Sequence, residues 1–411
     1  MRLLLDMVGK QFKQGCLEFR AADGRVWTLG HNEPRARIRL HKPAALLKLL
    51  LNPKLRFGEG YMDGVWEPED GDLLKVLEVA MVMVDSAEYA ELGHLGRLLR
   101  VVLGKLGELN TPWLARRHVH HHYDLDHALY SRFLDRDLHY SCAYFRDPGM
   151  DLEAAQQAKC AHIAAKLDLK PGARVLDIGC GWGSMALYLA RNYGAQVTGI
   201  THSEEQLKVA RQRAEEHGLS RLAEFRLEDY RATRGKFDAI VSIGMFEHVG
   251  RPQYQTYFRQ VHDLLEPGGT ALIHTIGRSG PPGEGSPWIR KYIFPGGYIP
   301  AASEMLAAVE PNRLILSDFE IWRLHYAKTL TEWHRRFQAN RKEFAERLGE
   351  RFCRMWEFYL LVSVAGFHWS GLVVFHAQLT RELERLPLTR DYLYKPRSEA
   401  AAAQLRQARK P

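Results

Sequence analysis

From about residue 150 onward the chain alternates short apolar runs with stretches of helical period. The apolar runs fall at 173–179 (ARVLDIG), 195–200 (AQVTGI), 222–228 (LAEFRLE), 237–244 (FDAIVSIG) and 269–277 (GTALIHTIG). Their length predicts strands. The helical stretches between them, clearest after Ser203 and after Pro252, predict a parallel sheet with helices on both faces. A loop rich in Gly and Pro (277–300) follows, then helices near 302–310 and 328–347. No Asp, Glu, Lys or Arg occurs from Phe358 to Thr380, a stretch long enough to span a bilayer. Ser363, His368, Ser370, His376 and Gln378 lie within it, and Gly366 and Gly371 break it. A buried helix over roughly 351–366 and a buried strand over roughly 371–380 fit better, given what polar groups cost in lipid.

The first 110 residues mix strand-like runs with leucine-rich helical ones. Between Arg25 and Arg56 eight basic residues stand against one acid, Glu33, a net of +7. The run 44–51 (AALLKLLL) is apolar except for Lys48. A cationic face beside an exposed apolar helix would suit an anionic bilayer surface. A core helix beside a solvated basic strand explains the same residues. Residues 58–72 (GEGYMDGVWEPEDGD) read as loops. Residues 111–150 show no clean period, and their histidines (His118, His120, His121, His122) lack the spacing to converge on one ion. No metal site is expected. These divisions predict a membrane-associated N-terminal domain (1–110), a linker with an active-site helical segment (111–145), a catalytic domain (146–396) and a polar tail (397–411).

A length of 411 residues allows two or three domains, and 46% hydrophobic with 26% charged residues excludes disorder, collagen and a polytopic membrane protein. The 57 Lys and Arg against 49 Asp and Glu leave +8, which fits an anionic partner. Nucleic acid is set aside: the chain has no N/D-P-P-Y motif and no basic stripe interleaved with aromatics. The five cysteines (Cys16, Cys142, Cys160, Cys180, Cys353) are scattered without a C-x-x-C pair, which points to a reducing cytosol. The start, MRLLLDMVGK, is no signal peptide.

In a doubly wound sheet ligands bind beyond the carboxyl ends of the strands. The first of these strands ends in Asp177, Gly179, Gly181 and Gly183, a G-x-G-x-G turn rather than the G-x-G-x-x-G of dinucleotide binders. An acid two residues before the first glycine suits S-adenosylmethionine, which carries an ammonium group and no pyrophosphate. The second strand ends at Thr201, where Thr201 and Gln206 offer neutral hydrogen bonds and Ser203 caps the next helix. The fourth strand runs into Glu247 and the fifth through His274, so two titratable groups face one cleft.

The motifs VLDIGCGWG, GITHSEEQ, SIGMFEHVG, HTIG, YSCAYF (140–145), WIRKYIFPGG (288–297) and HYAKTL (325–330) resemble those of the cyclopropane-fatty-acyl-phospholipid synthases, relatives of the mycolic acid cyclopropane synthases. The resemblance covers about 120–380 and extends weakly over the first 110 residues through GEGYMDGVWE. It implies an α/β fold: a Rossmann-like class I S-adenosylmethionine methyltransferase sheet with a smaller mixed N-terminal domain. It implies transfer of the cofactor's methyl carbon to a cis double bond of an acyl chain in a membrane phospholipid, with a cyclopropane ring as product. It also implies a bound bicarbonate ion as base, held by Cys142, Glu247, His274, Ile276 and Tyr326, all present here. By the same resemblance Tyr140, Ser141, Gly179, Thr201, Gln206 and Ile243 line the cofactor, with Asp229 on its adenine side. Trp288, Tyr292 and Phe294 are equally candidates for an acyl channel and for ordinary core.

One departure stands out: HHYDLDHALY (121–130) places Asp126 and His127 where the family has Gly and Asn. The expected setting is the cytoplasm, with docking on the anionic inner leaflet and a homodimer. Methyl-branched or methylene products, a small-molecule amine acceptor, and a non-catalytic lipid-binding protein are the alternatives.

Overall fold

The computed structural model describes residues 9–42, 46, 49, 52–88 and 127–394. The histidine run at 118–122, Asp126 and the polar tail lie outside them. The chain divides into two compact units: 1–107 with 284–295 and 326–372, and 108–283 with 296–325 and 373–411.

The first unit opens with β1 (Cys16–Ala21), β2 (Val26–Gly30), β3 (Arg35–Leu40), α1 (Pro53–Met62), β4 (Trp66–Pro68) and α2 (Leu73–Glu88). The four strands form one sheet in the order β2-β1-β3-β4, with β1 antiparallel to β2 and parallel to β3. Strict alternation along β3 buries Ala36, Ile38 and Leu40 and leaves Arg35, Arg37 and Arg39 exposed on one face. Leu46 and Leu49, from the apolar run 44–51, are buried.

The loop reading of 58–72 is corrected here. Gly58 to Met62 form the second half of α1, and Trp66 to Pro68 form β4. The glycines that made this stretch look like loop serve packing instead. A Cβ at Gly58 would lie 2.5 Å from Trp288 Nε1, and one at Gly60 would lie 2.8 Å from Trp66 Cδ1.

In the second unit α3 (His127–Phe133) and α4 (Leu152–Leu167) precede β5 (Arg174–Ile178), α5 (Ser184–Tyr193), β6 (Gln196–Thr201), α6 (Glu204–Glu216), β7 (Ala223–Leu227), β8 (Phe237–Ile243), α7 (Tyr254–Leu264) and β9 (Leu265–Arg278). Asp151 caps α4 by accepting from Ala154 N at 2.8 Å, and Ser203 caps α6 through Gln206 N at 3.2 Å. The strands alternate between two cores. Val175, Ala239, Val241 and Leu272 pack with α4, α5 and α6 on one side; Leu176, Ile240, Ala271 and Ile273 pack with α7 on the other.

The remaining elements are α8 (Pro287–Tyr292), α9 (Ala302–Val309), β10 (Ile315–Trp322), α10 (His325–Ala339), α11 (Arg341–Leu348), α12 (Glu350–Trp369) and β11 (Leu372–Thr380). The large sheet has the order β10-β11-β9-β8-β5-β6-β7 and is mixed: β5 to β9 pair in parallel, and β10 pairs antiparallel with β11. In the first unit α12 packs on α1 and α2. The uncharged run from Phe358 is thus the end of α12 followed by β11. No helix among the described residues is long and apolar enough to cross a membrane.

Candidate functional site

The turn after β5 needs glycine for two different reasons. Gly179, Gly181 and Gly183 have φ of +80°, +54° and +79°, values that side chains disfavour. A Cβ at Gly179 would meet Met245 Cγ at 2.8 Å and one at Gly183 would meet Phe225 Cζ at 2.8 Å, whereas nothing among the described residues lies within 4 Å of one at Gly181. The outer two glycines let the chain pack on itself. The middle one borders open space at the start of α5, where a ligand can approach the backbone. Asp177, just before the turn, is buried, and that burial pushes its carboxyl up to about 7, against the pull of the Ala186 N–H and the Lys159 charge. Its Oδ2 has no hydrogen-bond partner among the described residues. An ammonium group is the kind of ligand that would relieve this.

At the end of β6 the Thr201 hydroxyl donates to Gln206 Oε1 at 2.9 Å, and Ser203 N donates to Thr201 Oγ1 at 3.2 Å. Gln206 is therefore fixed through its oxygen, and its amide hydrogens remain for a ligand. Asp229, beyond β7, is held differently. Arg231 grips it with Nε at 2.8 Å and its terminal nitrogen at 2.6 Å, and His202 Nε2 lies 3.3 Å away. Despite burial, these donors hold its carboxyl well below the usual range. The carboxylate proposed for the adenine side is engaged by its own neighbours.

One face of α4 organises the segment carrying Tyr140, Ser141 and Cys142. Gln156 Nε2 donates to Ser141 O at 3.0 Å, and the fully buried Lys159 donates to Ser141 Oγ at 2.9 Å. Cys160 Sγ lies 3.1 Å from His139 Nε2, and His139 Nδ1 lies 2.8 Å from Asp135 Oδ2. Positions i, i+3 and i+4 share a helix face, so α4 grips residues 139–141 along one stripe. Burial opposes a charge on His139, but Cys160 and Asp135 outweigh it and raise it to about 9. Burial lowers Lys159 from the ordinary lysine range. Tyr140 packs edge-on to Tyr130 with ring centroids 5.2 Å apart. Cys142 is fully buried, its Sγ directed at Ala143 O at 3.3 Å.

Glu247 and His274 meet at the ends of β8 and β9. The register sets Ile243 opposite His274, and Gly244 N donates to His274 O at 2.9 Å. The turn Phe246–His248 then lays Glu247 over the end of β9, where Ile276 N donates to Glu247 Oε1 at 2.6 Å. Glu247 Oε2 is buried with no hydrogen-bond partner among the described residues. Burial raises this carboxyl to about 7, tempered by the Ile276 N–H. His274 is buried, and its Nδ1 lies 2.7 Å from His376 Nε2. Burial, then Lys159 and Lys166, hold its basicity well below the usual histidine value. His274 is thus neutral.

Of the predicted site residues, the structure joins Glu247 to Ile276 directly and sets His274 two residues earlier on the same strand. Ile276, which the resemblance puts among the residues holding the bicarbonate, has its N–H engaged by Glu247. Lys159 acts electrostatically on both Cys142 and His274, which ties them to one neighbourhood. Tyr326 belongs to the first unit, on α10, with Phe367 at 5.0 Å and Trp333 edge-on at 5.9 Å. Trp288, Tyr292 and Phe294 also lie there; Trp288 packs on Phe358 at 4.7 Å and Phe294 edge-on to Tyr359 at 5.9 Å. Sequence reasoning missed Lys159, which only burial distinguishes. It noted His376 as a polar residue in an apolar run without seeing its partner.

Residues 113–377 match a family model described as mycolic acid cyclopropane synthetase, and residues 5–90 match one described as a domain of unknown function. The chain is 40% identical over 351 residues to cyclopropane-fatty-acyl-phospholipid synthase of Escherichia coli K12, spanning 85% of this chain and 89% of that one. It is 35% identical over 369 residues to a tuberculostearic acid methyltransferase of Mycobacterium tuberculosis, spanning 86% and 85%. Among solved structures, a mycolic acid cyclopropane synthase complexed with SAH and CTAB is similar at 31% identity and a TM-score of 0.62, over 66% of this chain and 99% of that one. Coclaurine N-methyltransferase, at 18% identity and a TM-score of 0.66, shares the fold.

Proposed function

The chain belongs to the mycolic acid cyclopropane synthetase family and is an S-adenosylmethionine-dependent methyltransferase of class I fold, and from that premise we propose that it cyclopropanates unsaturated acyl chains of membrane phospholipids. S-adenosylmethionine would supply an electrophilic methyl group, and bicarbonate would supply the base. A cis double bond is a weak nucleophile; its attack leaves a carbocation on the acyl chain, and loss of a proton from the delivered carbon closes the ring.

The protein's part is to orient and exclude water. Gly181 leaves room for the methyl donor beside the strand end, Asp177 suits its ammonium, and Ser141, set by Lys159, can donate to its carboxylate. Glu247 carries the proposal for the base: a buried Oε2 with no partner among the described residues and a carboxyl raised to about 7 suit an oxyacid that shares a proton with it. His274 can donate to a further oxygen. Ile276 acts at one remove, by holding Glu247. Cys142 is buried packing beside an anion, since a thiolate there would repel it. Tyr326 enters this set by resemblance alone.

The relative named for tuberculostearic acid favours a second reading, in which the same transfer ends in a methyl-branched or methylene chain because the cation is quenched differently. Docking on the anionic inner leaflet and a homodimer complete the proposal. The test combines purified protein, labelled S-adenosylmethionine and vesicles of cis-monounsaturated phospholipid. A one-carbon mass gain with upfield ring-methylene signals in the proton spectrum supports cyclopropanation. Vinylidene or branched-methyl signals select the second reading. No mass gain with cofactor bound refutes both and leaves a different acceptor or a lipid-binding protein.

A further inference from the structure

We propose that His376 is a positioning residue: it donates a hydrogen bond to His274 Nδ1 and so keeps the His274 proton on Nε2, where the end of β9 can offer it to a ligand. This rests on the proposal above, in which His274 donates to a bound anion.

The two rings lie 2.7 Å apart between His376 Nε2 and His274 Nδ1, both fully enclosed on β11 and β9. One hydrogen must stand between those nitrogens. Burial holds both rings neutral, reinforced at His376 by His274, Lys166, His162 and Lys159, and at His274 by Lys159 and Lys166. Each ring then carries a single proton, which leaves two arrangements.

In the first, His274 donates from Nδ1. His376 must then carry its proton on Nδ1, and that atom is buried without a partner among the described residues. An orphaned N–H results, and buried N–H groups without acceptors are rare. In the second, His376 donates from Nε2, and its Nδ1 presents only a lone pair. The second arrangement avoids the orphaned donor. It also forces the His274 proton onto Nε2, since Nδ1 is now an acceptor. The neighbours keep the His376 ring in place: Trp322 covers it at a centroid distance of 4.0 Å and His162 lies at 6.3 Å. A histidine facing an anion is useful only as a donor, and the inner histidine decides this without touching a substrate.

The test uses full-length protein labelled with nitrogen-15 histidine, with His274→Gln to assign the ring signals. Wild-type His274 is expected with Nδ1 bare and Nε2 protonated. His376→Phe keeps the ring volume and removes the donor. It is expected to lose the fixed tautomer and to lower kcat by about tenfold or more while the S-adenosylmethionine Kd stays unchanged. His376→Gln, whose amide nitrogen can stand near the place of Nε2, is expected to restore the tautomer and return kcat to within about threefold of wild type. A purely packing role predicts the reverse order, with Phe the milder change. Wild-type His274 protonated on Nδ1 overturns the proposal, as does a His376→Phe protein with unchanged tautomer. If wild type modifies no lipid, the functional proposal fails, and the ring spectra still decide this one.

Discussion

Glu247→Gln separates charge from shape at the end of β8. The Glu247 carboxyl rises from 4.5 to about 7 because burial penalises its ionised form. A raised acid binds its proton more tightly folded than unfolded, so stability is greatest below the unfolded value and falls as pH rises toward 7. The shift of about 2.5 units converts to roughly 3 kcal/mol lost by the wild type between about pH 4.5 and pH 7. Gln carries no such penalty. Its oxygen can still accept from Ile276 N, but its amide would occupy the place of the unpartnered Oε2, at a pH-independent cost of about 1–3 kcal/mol. The variant should therefore trail wild type by about 1–3 kcal/mol at about pH 5 and gain roughly 3 kcal/mol relative to it by pH 8. Urea unfolding in carbon-dioxide-free buffer measures this difference, and infrared spectroscopy should show one fewer protonated carboxyl in the variant near neutrality. Cofactor titration should match wild type while lipid turnover is lost. A stability difference that stays flat across this pH range would refute the burial argument.

Lys159→Met should weaken S-adenosylmethionine binding about tenfold by calorimetry, because Ser141 Oγ loses the donor that orients it. An unchanged Kd in a folded variant would break the link from α4 to the ligand. Gly181→Ala adds a methyl that meets nothing within 4 Å among the described residues, at a backbone cost of about 1–3 kcal/mol for φ +54° that thermal unfolding measures, and should bind the cofactor more weakly; equal affinity would show that the open space beside Gly181 is not used. Reversing Arg37 and Arg39 together to Glu should reduce sedimentation with anionic vesicles. Each basic residue near such a surface contributes about 1 kcal/mol. Both are exposed on β3, and unchanged vesicle binding would remove this face from membrane docking.

Strand positions in the second unit were legible because buried parallel strands leave compact apolar runs, and the predicted run 173–179 brackets Arg174–Ile178 closely. β10 was not legible. It is an edge strand whose Ser317, Asp318 and Glu320 interrupt any apolar pattern, and among the described residues it pairs with β11 alone. The predicted helix 328–347 is two helices that part at Asn340. Glu247, His274 and the glycine turn were legible because chemistry in this fold gathers at strand ends. Gln156 and Lys159 look like an ordinary solvated helix face until the fold buries them. His376 and His274 are separated by 102 positions, and nothing local in sequence announces their contact.

The first unit is assembled from three separate stretches of chain, ending at residue 372. During synthesis α1 and α2 emerge long before α12, the helix on which they pack. At about 5–20 residues per second, the 265 residues between positions 107 and 372 take a ribosome roughly 13–53 s. Throughout that interval the nascent N-terminal segment carries an unpaired apolar face. Exposed apolar surface of this kind is what chaperones that hold growing chains recognise, and slower translation upstream of α12 would lengthen the exposure. A fragment cut after residue 110 never receives the missing helix, so its aggregation on expression would report the uncovered apolar face and say nothing about affinity for lipid.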